Sequence, residues 1–325
     1  MVQTLVGWLV GLVALCAWGS GALANGSGLK VVVTIPPLKG IVEPLLPQGS
    51  TVKVLMPPGR SEHNYEFTPA DMASVGGADL VVFVGLGLEP QVAKFLESRA
   101  SPKRVDLSLA NAAGVNTGGH ENHEHHESHE GHEHAKGEEC DHSAADPHVW
   151  LDPVLVKGAL PRIVEAVIAA MKMRGEWEGD ANTAARQRLE SALASEVTRV
   201  DELDAAFREK LAPFKSEKIV THHAAFGRLA ERYGLEVAEV IRVNEGEEPT
   251  PGRIAAIVQA VRKEGVKAIF VEPQFDSATA ERVAKAAGVQ VVTLDPLGDG
   301  DWFAMMRGNL SGLVQGLSAE TTKVK

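Results

Sequence analysis

Short β-branched apolar runs alternate along the chain with longer segments of helical periodicity. In the first half, VVVTI (31–35), TVKVLM (51–56) and DLVVFVG (79–85) are apolar and bounded by proline or glycine, which predicts buried strands. Helical stretches are predicted near 38–46, 69–75 and 89–98. The second half repeats the scheme, with strands KIVT (218–221), VAEVI (237–241), KAIFVE (267–272) and VQVVTL (289–294) and helices near 225–233, 251–264 and 277–287. Strands alternating with helices pair in parallel and are covered on both faces, so each half is predicted to be an α/β lobe.

Between the two patterns, Asn182 to Leu211 holds neither proline nor glycine. Its apolar residues Leu189, Leu193, Val197, Val200, Leu203, Phe207 and Leu211 fall at spacings of three and four, one stripe of a single helix. At 1.5 Å per residue such a helix is about 45 Å long, enough to cross a two-lobed molecule. Pro213 stops it. The predicted organisation is an N-terminal lobe over 28–180, a rigid linking helix over 182–212 and a C-terminal lobe over 216–325.

The length of 325 residues suits two lobes rather than one core. A formal charge of -11 and a pI near 5.6 argue against a nucleic-acid partner and favour attraction of cations. Residues 2–18 carry no charged side chain, and Ala22-Leu23-Ala24 offers a small-residue cleavage site. Residues 1–24 therefore read as a secretory signal peptide, although no basic residue precedes the apolar run. An uncleaved anchor is the rival reading, and lipid attachment at Cys16 is disfavoured by Leu15 before it. Past the cleavage site only Cys140 remains, so no internal disulfide is expected.

Residues 116–146 belong to neither lobe. They hold His120, His123, His125, His126, His129, His132, His134 and His142 among interleaved glutamates, with no large apolar side chain. Such a segment cannot offset the entropy of ordering and is predicted to be a loop without fixed structure, with weak metal affinity that falls as pH drops through about 6.5. Of twelve histidines, four remain for the rest of the chain: His63, His148, His222 and His223. All sit in loops or just beyond strands. Gaps of 85 and 75 residues exclude a local zinc knuckle, so any site joining them is built by the tertiary fold. In open α/β sheets ligands bind beyond the carboxyl ends of strands, where His222, His223 and Asp295 lie. Imidazole is the commonest side-chain metal ligand, which makes a metal site between the lobes the leading expectation.

The segments VVVTIPPLKGIVEPL, PPGRSEHNYEFTPADM, DPHVWLDP, THHAAFGRLAERYGL, EGEEPTPGRIAAIV, AIFVEPQFDS and VVTLDPLGD together resemble the metal-specific substrate-binding proteins of ABC importers, in their zinc-uptake branch. The resemblance runs through nearly the whole chain after residue 30. It implies two α/β lobes joined by one long helix, with the metal in the cleft between them. It also implies ligands at His63, His148 and His223, with His222 facing away as its neighbour in an extended segment. For the fourth position the resemblance leaves Asp295, Glu62 or water open. Three imidazoles and one oxygen suit tetrahedral zinc, whereas the manganese and iron branches replace a histidine with a carboxylate.

The function so implied is high-affinity capture of zinc outside the cytoplasmic membrane by a monomer, which delivers the ion to the membrane permease and ATPase subunits of an importer. Manganese or iron transport is the alternative within the family. Outside it stand a zinc hydrolase, which an open three-histidine site could support, and a zinc buffer or adhesin without an importer. Glu272-Pro273 and Glu247-Glu248-Pro249 read as strand-end and turn features. Trp150 reads as packing beneath the ligand loop and Tyr65 as holding such a loop by a hydrogen bond. GLGLEP (85–90) lacks the lysine of a phosphate loop.

Overall fold

The computed structural model describes residues 28–115, 146–177, 181–242 and 249–319. The signal-peptide expectation, Cys16, Cys140 and all eight loop histidines fall outside these residues. No helix among the described residues is long and apolar enough to cross a membrane.

The first lobe runs β1 (Lys30–Val33), α1 (Pro36–Val42), β2 (Thr51–Val54), α2 (Pro69–Gly76), β3 (Leu80–Phe83), α3 (Pro90–Ser98), β4 (Val105–Ser108), α4 (Leu109–Ala112) and α5 (Pro153–Met173). After α6 (Ala181–Leu211) come β5 (Lys218–Thr221), α7 (Gly227–Tyr233), β6 (Glu236–Val240), α8 (Pro251–Lys263), β7 (Ala268–Val271), α9 (Ala278–Ala287), β8 (Gln290–Thr293) and α10 (Trp302–Leu317). Both sheets are parallel and share one topology, β2-β1-β3-β4 and β6-β5-β7-β8. In each, the chain steps to one side of its first strand and then to the other. That creates a switch point between β1 and β3 and again between β5 and β7, where the connections diverge and leave a crevice.

Period-two alternation sends each strand's side chains to two different cores. Val31 and Val33 of β1, Ile219 of β5 and Phe270 of β7 face a central core. Val32 joins an outer core with Val75, Val92 and Leu96 of α2 and α3. Val220, Ile269 and Val271 join the outer core beneath α8 and α9. The central core draws on both lobes at once, through Leu38 and Ile41 of α1, Ile163 of α5, Phe207 and Leu211 of α6, Phe226, Leu294 and Leu313 of α10. The halves are thus fused along their inner faces as well as linked by a helix.

The linking helix forms as its stripe dictates. Leu189, Val200, Leu203, Phe207 and Leu211 are buried, with Leu193 and Val197 partly so. Its 31 residues make it about 46 Å long. Four elements went unanticipated, the single turn α4 and three larger or sheet-forming ones. Helix α5 contains Gly158 and Pro161, which interrupt a helical reading, yet Asp152 caps its start by accepting from the Val154 and Leu155 amides. Strand β4, VDLS, is half-exposed and carries no continuous apolar run. Helix α10 carries the poor helix formers Gly308, Gly312 and Gly316, of which packing requires the last two. A Cβ at Gly312 would sit 2.8 Å from the Thr293 carbonyl oxygen, and one at Gly316 2.5 Å from the Phe270 ring. Glycine lets α10 lie directly on β7 and β8.

Candidate metal centre

His63, His223 and Glu272 lie just past a strand's carboxyl end or on the loop that follows it, whereas His148 precedes a helix. The β5 ladder continues one residue beyond the strand, where the His222 amide donates to Phe270 O and its carbonyl accepts from the Arg242 amide. His223 is therefore the first residue free to leave the sheet plane. Glu272 follows the neighbouring strand β7, across the switch point. His63 lies on the loop between β2 and α2. That loop is tied down where Tyr65 Oη donates to the Leu55 carbonyl at 3.2 Å, as the sequence suggested. His148 stands between Asp146 and a short 3-10 turn, Val149–Leu151, that feeds α5.

Three rings from these distant loops meet. His63 Nε2 and His223 Nε2 each lie 3.3 Å from His148 Nε2. Glu62 Oε1 lies 3.6 Å from the same nitrogen. One ligand atom from each of Glu62, His63, His148 and His223 falls within 4.8 Å of the others, and no other such group occurs among the described residues. Glu62, His148 and His223 are buried, while His63 retains an exposed edge. His222 is fully buried, packs edge-on against Phe275 and is not in the group.

Asp295, expected near the metal, lies outside the group of four. Its Oδ1 accepts from Gln274 Nε2 at 2.7 Å and from the Leu297 and Gly298 amides at 3.0 Å each. That oxygen is committed to the turn after β8. Glu62, the other candidate, has two buried carboxylate oxygens with no hydrogen-bond partner. A buried carboxylate without donors is costly unless a cation meets it.

The reading of Glu272 as a strand-end feature is corrected. Its Oε2 lies 2.6 Å from His223 Nδ1 and its Oε1 accepts from the His223 amide. Asp146 treats His148 the same way, with Oδ1 2.7 Å from Nδ1 and 2.9 Å from the amide. A carboxylate on Nδ1 fixes the ring's tautomer and turns the Nε2 lone pair inward, the arrangement of metal-ligating histidines. Nothing in the sequence separated these two carboxylates from other acidic residues beside proline. Asp146 stands two residues before a candidate ligand, which was the only local signal.

Electrostatics favour a cation at the centre. Burial opposes ionisation of Glu62, but the close approach and charge of His148, 3.6 Å away, with smaller effects of His223 and His63, hold its pKa down at about 2. Burial, together with the like charge of His148 and His223, lowers His63 to about 4 against the pull of Glu62. Burial also disfavours the charged form of His148, yet Asp146 and Glu62 overcome it and raise that ring to about 9. Metal-free, His148 thus stays protonated between two carboxylates.

A family model described as zinc-uptake complex component A, periplasmic, matches residues 31–316. Zinc-binding protein AdcA of Streptococcus pyogenes is 31% identical over 301 residues, 90% of this chain and 56% of that protein. The chain thus spans little more than half the length of that relative. The high-affinity zinc uptake system protein ZnuA of Bacillus subtilis is 28% identical over 289 residues, 88% of this chain and 85% of that protein. A crystal structure of ZnuA superposes with a TM-score of 0.69 at 24% identity, over 89% of this chain and 99% of the other. With a match over nearly all of the described residues and a shared fold, the chain belongs to the family of the periplasmic component A of zinc-uptake complexes.

Proposed function

We propose that this protein captures zinc outside the cytoplasmic membrane with His63, His148, His223 and Glu62, and delivers it to an ABC importer. One observation carries the reading. A tetrahedral zinc with bonds of about 2.0–2.1 Å has ligand-to-ligand edges of about 3.3–3.4 Å. The two imidazole pairs stand 3.3 Å apart at Nε2, and the Glu62 oxygen 3.6 Å from the central ring. Three nitrogens and one carboxylate oxygen form a donor set suited to zinc rather than to manganese, which takes harder, oxygen-rich sites.

The names of the relatives support the same reading, as zinc binding and zinc uptake are printed for AdcA and ZnuA. By family, the partners are a membrane permease and its ATPase, and the carrier acts as a monomer. The domain division follows the helix: a lobe before 181 supplying Glu62, His63 and His148, and a lobe after 211 supplying His223. Because one core runs through both halves, zinc is held by small tilts and loop ordering rather than wide hinge closure.

A carrier fits better than a hydrolase. Asp146 and Glu272 are both committed to imidazole Nδ1 atoms, and Glu62 stands at the fourth position, where a hydrolase would keep water. The test is calorimetric titration of the metal-free protein with zinc and with manganese, with and without residues 120–142. One tight zinc site that survives the deletion, with manganese weaker, is the expected result. Loss of the tight site with the loop, or a manganese preference, would overturn the reading.

A further inference from the structure

The loop that carries His148 is bracketed by two aspartates, Asp146 and Asp152, and both are gripped by arginines of one helix on the opposite side of the cleft. Arg228 Nε and Nη2 donate to the Asp146 carbonyl at 3.0 and 2.6 Å, and its Nε lies 3.7 Å from Asp146 Oδ2. Four residues on, Arg232 forms a fork on Asp152, with Nε 2.9 Å and Nη2 2.7 Å from Oδ2. Spacing of i and i+4 puts both side chains on one face of α7. This helix starts four residues after the ligand His223. The same loop is tied to the second lobe again, where Trp150 Nε1 donates to Pro296 O at 2.6 Å and Trp302 Nε1 donates to Trp150 O at 2.8 Å.

We infer that Arg228 is a positioning residue for zinc capture, acting through Asp146 to aim His148 Nε2 at the point where His223 also converges. The inference rests on the zinc site proposed above. The two bonds from Arg228 to the Asp146 carbonyl fix that residue's backbone. The Asp146 carboxylate, held on the same residue, then sets the orientation of the His148 ring through Nδ1 and the His148 amide. His148 is thereby mechanically part of the second lobe although its chain belongs to the first. His148 and His223 form a preset pair, and His63 with Glu62 completes the site from the other side. Arg232 performs a different task. It grips the carboxylate that caps α5, so its loss costs stability and leaves the ring of His148 aimed.

The experiment compares Arg228→Met, Arg228→Lys and Arg232→Met with the parent protein in four readouts: zinc affinity by chelator competition, the visible bands of the cobalt-substituted form, the His148 Nδ1 proton resonance, and denaturant stability without metal. Arg228→Met is expected to weaken zinc binding by about 10–100-fold, the range for residues that orient a ligand. It should also alter the cobalt spectrum and broaden the His148 resonance. Arg228→Lys keeps a donor and should recover part of the affinity, which holds the test open if the methionine variant folds poorly. Arg232→Met should lose comparable stability and keep zinc affinity within about twofold. Parent-like zinc affinity and cobalt bands in both Arg228 variants would overturn the inference. So would equal losses of affinity in the Arg228→Met and Arg232→Met proteins, which would mark a purely structural clamp. Failure of the parent itself to bind zinc would instead refute the site, a distinguishable outcome.

Discussion

At the scale of residues, function rests on carboxylates doing two different jobs. Glu62 faces the centre with unpartnered oxygens, whereas Asp146 and Glu272 stand behind the rings and hold their tautomers. Replacing Glu272 by Gln keeps the shape but removes the charge behind His223. Zinc affinity should fall by about 10–100-fold with metal-free stability close to that of the parent, measured by chelator competition and urea titration. Unchanged affinity would deny Glu272 its orienting role. The protonation balance gives a second prediction. His148 is raised from 6.5 to about 9, so its charged form stabilises the metal-free fold fully below 6.5 and ceases to as pH rises through about 9. Glu62 is depressed from 4.5 to about 2, so its contribution is present above 4.5 and lost as pH falls through about 2. Zinc takes the place of the proton on His148 Nε2. Apparent zinc affinity should therefore climb by about tenfold per pH unit from 6.5 towards 9, the slope of one displaced proton. Calorimetry in buffers of different ionisation enthalpy should find a proton leaving His148 as zinc binds. A flat affinity profile with no proton release would contradict the assignment.

At the scale of elements, what was legible in the sequence depended on how local the cause was. Four histidines could be singled out because the chain outside 116–146 spends its whole supply on three loops, and only the family resemblance chose His223 over His222. Strand β5 was readable as a short apolar β-branched run and helix α6 from its period-3.6 stripe, since burial alone sets them. Helices α5 and α10 were not. Gly158, Pro161 and the glycines of α10 violate helix propensity; the buried faces of both helices outweigh this, helped by the cap Asp152 and, at Gly312 and Gly316, by close packing on β7 and β8. Glu272 and Asp146 were missed for a related reason: an acidic residue becomes an orienting group only when a ring from elsewhere reaches it. Asp295 shows the converse, a carboxylate at the end of β8 that lies outside the group of four and has one oxygen bound within its own turn. The helix stripe itself is testable. Leu203 is buried against the central core, so Leu203→Ala should cost about 2–5 kcal/mol of stability while the folded fraction binds zinc as tightly as the parent. A loss of affinity without a loss of stability would mean that α6 tunes the site rather than supporting the fold.

At the scale of the whole molecule, two sheets share one topology, and ligand atoms from both halves of the chain converge on one point. The shared core, α6 and the arginine grip on the His148 loop make the frame stiff. Three of the ligand-atom separations, those to His148 Nε2, are already zinc-like at 3.3–3.6 Å, so capture needs only small adjustments of the remaining groups. The most direct measurement is a crystal structure of the zinc-loaded protein with diffraction collected on both sides of the zinc absorption edge. The anomalous peak should lie about 2.0–2.2 Å from Nε2 of His63, His148 and His223 and from a Glu62 oxygen, with Asp295 still bound within its turn. A peak that leaves any of the three rings uncoordinated, or one centred on Asp295, would contradict the account.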